Sequence, residues 1–137
     1  MHTLPKLTGL ALAAGLLATP AVAPAASPDK KSADSGPCFF ISQWTGTSAL
    51  DDKTLLLRVN HRDVYKVGVS GGANELKYPG TFLVSRNSGS TICSHLDLWL
   101  STSDTTSRIK TPLIANSLVK LTPEEIAAIP KKDLPAQ

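Results

Sequence analysis

The sequence predicts a mainly β fold, a small antiparallel sandwich or partly open barrel closed by one short C-terminal helix. Three observations carry that expectation. Between Thr54 and Ser70 two apolar alternations flank a polar step containing Asn60 and Asp63, a hairpin pattern. Further short alternating runs follow at close spacing, separated by Gly, Pro, Asn and Ser. A complete helix-start signature occurs near the end, at Thr122 to Glu125.

The first 25 residues stand apart from that pattern. Met1 to Lys6 is a short, weakly basic segment, and Leu7 to Leu17 is an apolar run too short to span a bilayer. Ala23-Pro24-Ala25 then offers a small-residue cleavage site, so residues 1–25 read as a secretory signal peptide. Residues 26–36 are small, polar and charged and read as a flexible leader, because they have too little apolar surface to order themselves. A single β-rich domain is expected over residues 37–130 and a frayed tail over residues 131–137. The expected location is the periplasm or the medium, with no membrane attachment once the signal peptide is cut.

Within the domain, the first predicted strand runs from Cys38 to Trp44 and is broken by Thr45-Gly46-Thr47-Ser48. The central hairpin follows. Leu55, Leu57 and Val59 share one face of its first strand, and Tyr65, Val67 and Val69 share one face of its second. Gly71-Gly72 ends it, and residues 73–76 fit one helical turn. Thr81 to Arg86 is a fourth strand. A fifth is expected from Thr91 to about Ser101, with Leu96, Leu98 and Leu100 inward and His95, Asp97 and Trp99 on the opposite face. Residues 101–106 read as a loop, and another strand lies around Leu113 to Val119. In the final helix Thr122 caps, Pro123 takes the first helical position, Glu125 completes the capping box, and Pro130 stops it.

Cys38 and Cys93 are the only cysteines, and an even count in an exported chain points to a disulfide. No Cys-x-x-Cys spacing argues for redox chemistry.

Laid out in this way, the chain resembles a family of small exported bacterial proteins of unknown function. The features that carry the resemblance are Cys38 at the first strand, Asp51-Asp52-Lys53-Thr54, Tyr65, Ile92-Cys93 followed by Asp97, and the run Leu121 to Glu125. The family pattern has four cysteines; the other two would fall near Ala73 and Leu113, so one whole disulfide is missing here. The resemblance implies that the surviving pair is Cys38 with Cys93. It implies no activity, cofactor or catalytic residue.

The residues themselves exclude more than they assign. The chain carries 14 basic and 11 acidic side chains, net +3, and loss of Lys6 with the signal peptide leaves +2. So small a charge, evenly spread and with few aromatics, gives no platform for nucleic acid. No Gly-x-Ser-x-Gly elbow surrounds any serine, and Gly71-Gly72 is not a phosphate loop. Two His-x-Asp pairs, His61 with Asp63 and His95 with Asp97, have the donor types for zinc or copper. Trp99, on the predicted face of His95 and Asp97, marks a candidate ligand surface. The functional expectation is a non-enzymatic binding or structural module without a cofactor. The alternatives are a small metal-binding protein using the His-x-Asp pairs, or an inhibitor or subunit of an exported assembly.

Overall fold

The structure, a computed structural model, describes residues 34–106 and 110–136. The predicted signal peptide and the leader up to residue 33 lie outside the described residues. The strands are β1 (Asp34–Ser35), β2 (Phe39–Phe40), β3 (Trp44–Asp51), β4 (Thr54–Val59), β5 (Asp63–Val69), β6 (Thr81–Ser85), β7 (Thr91–Ile92), β8 (Trp99–Asp104) and β9 (Lys110–Lys120). One short helix, α1 (Pro123–Ala128), follows them. The main sheet runs β3-β4-β5-β9-β8-β6 with every neighbouring pair antiparallel, and it curls into a nearly closed barrel. Its two edges, β3 and β6, face each other across a shallow gap lined by residues such as Trp44, Gly46, Leu83 and Ser85.

The Thr54–Ser70 hairpin forms as its alternation requires, with Leu55 opposite Val67 and Leu57 opposite Tyr65. Leu55, Leu57, Val59, Tyr65, Val67 and Val69 point into the barrel, where Leu100, Leu113 and Leu118 meet them. The connection at Asn60 and His61 takes the left-handed conformation at both residues (φ 51° and 61°), which asparagine tolerates. Gly68 faces the irregular point of the β5–β9 pairing, where the Asn116 and Ser117 side chains fill the space a Cβ would need.

Both faces of β4 are buried. Its outward residue Leu56 packs with Val64 and Leu121, against Leu50, Ile126, Ile129 and Leu134. The cover on that side is the C-terminal segment. Helix α1 starts as predicted: the Thr122 hydroxyl accepts from the Glu125 amide at 3.3 Å, and Glu125 Oε2 accepts from the Thr122 amide at 2.9 Å. The described tail beyond it, residues 131–136, packs back on the barrel. Lys131–Asp133 forms a 3-10 turn, Ser48 Oγ donates to the Asp133 carbonyl at 2.6 Å, and Arg58 Nε donates to the Pro135 carbonyl at 2.9 Å.

Four further expectations are corrected. Cys38–Trp44 is not one strand: after β2, residues 41–43 form a 3-10 turn. The polar stretch Thr45 to Ser48, read as a break, belongs to β3, an edge strand on which polar side chains are tolerated. Residues 101–104, read as loop, continue β8. The described end of the leader is ordered, since β1 pairs in parallel with Leu118 and Val119.

Candidate functional site

Cys38 and Cys93 form the predicted disulfide, flanking the small β2–β7 sheet. Phe39 and Ile92 in that sheet are buried in the barrel core, and the Phe39 and Tyr65 rings lie 4.8 Å apart between centroids. Tyr65 also donates its hydroxyl to the Pro37 carbonyl at 2.7 Å. Burial, and then the Asp63 charge, push the Tyr65 phenol above its ordinary range, so it stays a neutral donor.

The expected fifth strand is interrupted where its candidate residues sit. Ser94 caps a 3-10 turn at His95–Asp97, with its Oγ accepting from the Leu96 amide at 3.2 Å. Asp97 Oδ2 accepts from the amides of Cys93 and Ser94 at 2.8 and 2.9 Å. Those amide bonds, led by Cys93, hold the Asp97 carboxyl below its ordinary value. Asp97 therefore ties down the backbone around the disulfide instead of sharing a face with His95. Leu96, expected inward, is 74% exposed. The signal for this turn was Ser94-x-x-Asp97 itself, a capping pattern that overrides the leucine alternation.

His95 has a different partner, one supplied by the leader. Its Nδ1 lies 2.9 Å from both Asp34 carboxylate oxygens, and its amide donates to Asp34 Oδ1 at 3.0 Å. Against an ionised carboxylate, Nδ1 carries the proton and donates, which fixes the ring orientation. Burial alone would raise the Asp34 carboxyl, but the His95 side-chain bond, its amide and its charge outweigh that and lower it from 3.8. Among the described residues Asp34 is the partner of the ring.

The lowered carboxyls of Asp34 and Asp97 give a signed expectation. Between their depressed folded values and the ordinary carboxylate range the unfolded chain binds more protons, so stability rises with pH there. Their contribution is complete above that range and is lost as pH falls through the folded values. Urea unfolding midpoints measured from neutral pH down to pH ~3 should fall steeply only at the acid end. Asp34→Asn and Asp97→Asn should each flatten that acid limb; a limb as steep in both variants as in the wild type would refute the assignment.

His61 lies in the β4–β5 connection, where its carbonyl accepts from Arg58 Nη1 at 3.1 Å, and Asp63 pairs with Lys120 Nζ at 3.0 Å. The two His-x-Asp pairs are not brought together. Among the described residues no three His, Cys, Asp or Glu side chains gather to hold a metal ion.

Trp99 is exposed. The register sets Arg86, Trp99 and Ile114 in one row across the end of β6, β8 and β9; Arg86 donates its amide to the Trp99 carbonyl at 2.8 Å, and Trp99 stands opposite Ile114. The next row is Val84, Ser101 and Pro112, and the next is Phe82, Ser103 and Lys110. Ser101 in the middle strand, between Arg86 and Trp99 at one end and Pro112 and Lys110 on β9, lines a groove of about 580 Å³. It reaches from Lys110 past Trp99 and Ile114 to Leu96 and His95. Trp99 and Ile114 are 68% and 67% exposed. Sequence reasoning missed Ile114, Arg86 and Lys110 because only cross-strand register joins them to Trp99.

Among the described residues no helix is long and apolar enough to cross a membrane. No family model, curated protein or solved structure matches the chain.

Proposed function

We propose that the protein is an exported, disulfide-stapled β-barrel domain that works by binding, through the outer face of β6, β8 and β9, and carries out no chemistry of its own. The observation that supports this most is the asymmetry of cover. The chain spends its C-terminal segment on the outside of β4 and leaves Trp99, Ile114 and Leu96 bare on the other side. A disulfide suits a compartment outside the reducing cytosol, and the first 25 residues supply the export signal in this reading. Kinship with the exported four-cysteine family is part of the same proposal. A second reading, an inhibitor or subunit of an exported assembly, would use the same face, where Trp99 beside Arg86 has the composition of an interface anchor.

The test uses Nile red, a neutral probe that brightens on apolar surfaces. Wild-type protein should brighten it saturably, and Trp99→Ser with Ile114→Ser should abolish most of that signal. Because both side chains are exposed, the unfolding free energy should move by no more than about 0.5 kcal/mol per site. Brightening that survives the double substitution would overturn the reading.

A further inference from the structure

The binding face carries charge as well as apolar surface, and the charge has one sign. Arg86 and Lys110 line the groove, and among the described residues no Asp or Glu does. The carboxylates beside the lining residues are already engaged, Asp34 by His95 and Asp97 by the amides of Cys93 and Ser94. Arg86 stands in the Trp99 row, while Lys110 lies four residues along β9 from Ile114, about 13 Å at strand rise. The cations therefore flank an apolar trough lined by Ser101, Pro112, Trp99 and Ile114.

From this arrangement we propose that the groove takes an amphipathic organic anion, its apolar body laid across Trp99 and Ile114 and its acidic end held by Lys110 or Arg86. The inference rests on the binding reading above and names the class of ligand. A groove of about 580 Å³ falls within the range used for small organic ligands, roughly 300–1,000 Å³. A second copy of the chain is a poor occupant, because two such faces would oppose Arg86 and Lys110 to each other with no carboxylate between them. A nucleic acid strand is a poor one too, since two separated cations and one exposed indole give neither a phosphate track nor a stacking series. An aliphatic carboxylate matches both parts of the site: a desolvated chain for the Trp99–Ile114 row, and a single charge for a charge-assisted hydrogen bond.

Dodecanoate, kept below its micelle concentration, is the probe, and the two tryptophan indole N–H signals in a nitrogen-15 NMR spectrum are the readout. Trp44 is an internal control, because its Nε1 donates to Thr47 Oγ1 at 2.9 Å, away from the groove. The Trp99 signal should move saturably while the Trp44 signal stays. Arg86→Gln with Lys110→Gln should weaken dodecanoate by about tenfold or more, the loss of one charged hydrogen bond. Dodecyl maltoside, neutral, and dodecyltrimethylammonium, cationic, should bind weaker by a similar factor. Equal affinity for all three, or an unchanged affinity in the double variant, would overturn the anion selection and leave the binding face standing. Silence of Trp99 towards every probe would overturn the inference, while the binding reading stands or falls by the Nile red result.

Discussion

Replacing Cys38 and Cys93 together with alanine should lower the unfolding free energy by about 4 kcal/mol, the chain-entropy value for a cross-link spanning 55 residues. Both cysteines are exposed, so the substitutions remove almost no buried surface, and the loss reports the bond itself. The cross-link holds a part of the barrel that little else secures. The β2–β7 sheet is only two residues deep on each strand, yet it carries Phe39 and Ile92 into the core. Without the bond, the segment from Asp34 to Phe40 depends on Tyr65 with Pro37, His95 with Asp34, and the short β1 pairing. Against a total of about 5–15 kcal/mol for a small domain, a loss of that size moves the urea midpoint visibly. Wild-type protein reduced with dithiothreitol should reach the same midpoint as the double variant, since exposure leaves the bond open to reductant. A double variant within about 1 kcal/mol of the oxidised wild type would show that the flanking contacts close the barrel end unaided.

What was legible in the sequence, and what was not, divides along a physical line. The Thr54–Ser70 hairpin was legible because period-two alternation fixes which side chains share a face, and both its strands have it. The helix at Thr122 was legible because capping is a local reaction between residues three apart. The expected strand over residues 91–101 failed for a related reason. Leu96, Leu98 and Leu100 alternate, but Ser94 and Asp97 satisfy the local amides more directly and fold the chain into a turn. Nothing local says what covers the outside of a strand. Leu56 and Arg58 alternate with the core residues, and the last residues of the chain cover them. The site followed the same division. Trp99 stood out by type, whereas Arg86, Ile114 and Lys110 reach it through the registers of β6, β8 and β9. Asp34 lay inside a leader whose composition gave no reason for order.

The covered face yields the second large effect. Arg58 is 7% exposed, and its guanidinium donates to two carbonyls, those of Pro135 at 2.9 Å and His61 at 3.1 Å. Arg58→Ala removes the packing of its stem over β4 and leaves the buried Pro135 carbonyl without its donor, an expected loss of about 2–3 kcal/mol. Ending the chain at Pro130 should cost a similar amount. It uncovers Leu56 and Val64 where Leu134 had packed, and Ser48 loses the Asp133 carbonyl. The two losses are one interaction seen from its two ends, so they should not add. In the shortened chain water reaches Arg58, and Arg58→Ala should then cost less than about 1 kcal/mol, a coupling that a double-mutant cycle in urea measures directly. Gly46 supplies an independent arm of the same argument. A Cβ there would stand 2.5 Å from the Ala136 carbonyl, because the tail backbone crosses β3 at that point. Gly46→Ala should therefore destabilise the full chain by pushing the tail away and be close to neutral in the shortened one. Full additivity in both cycles would mean that the tail lies against the barrel without contributing to its stability.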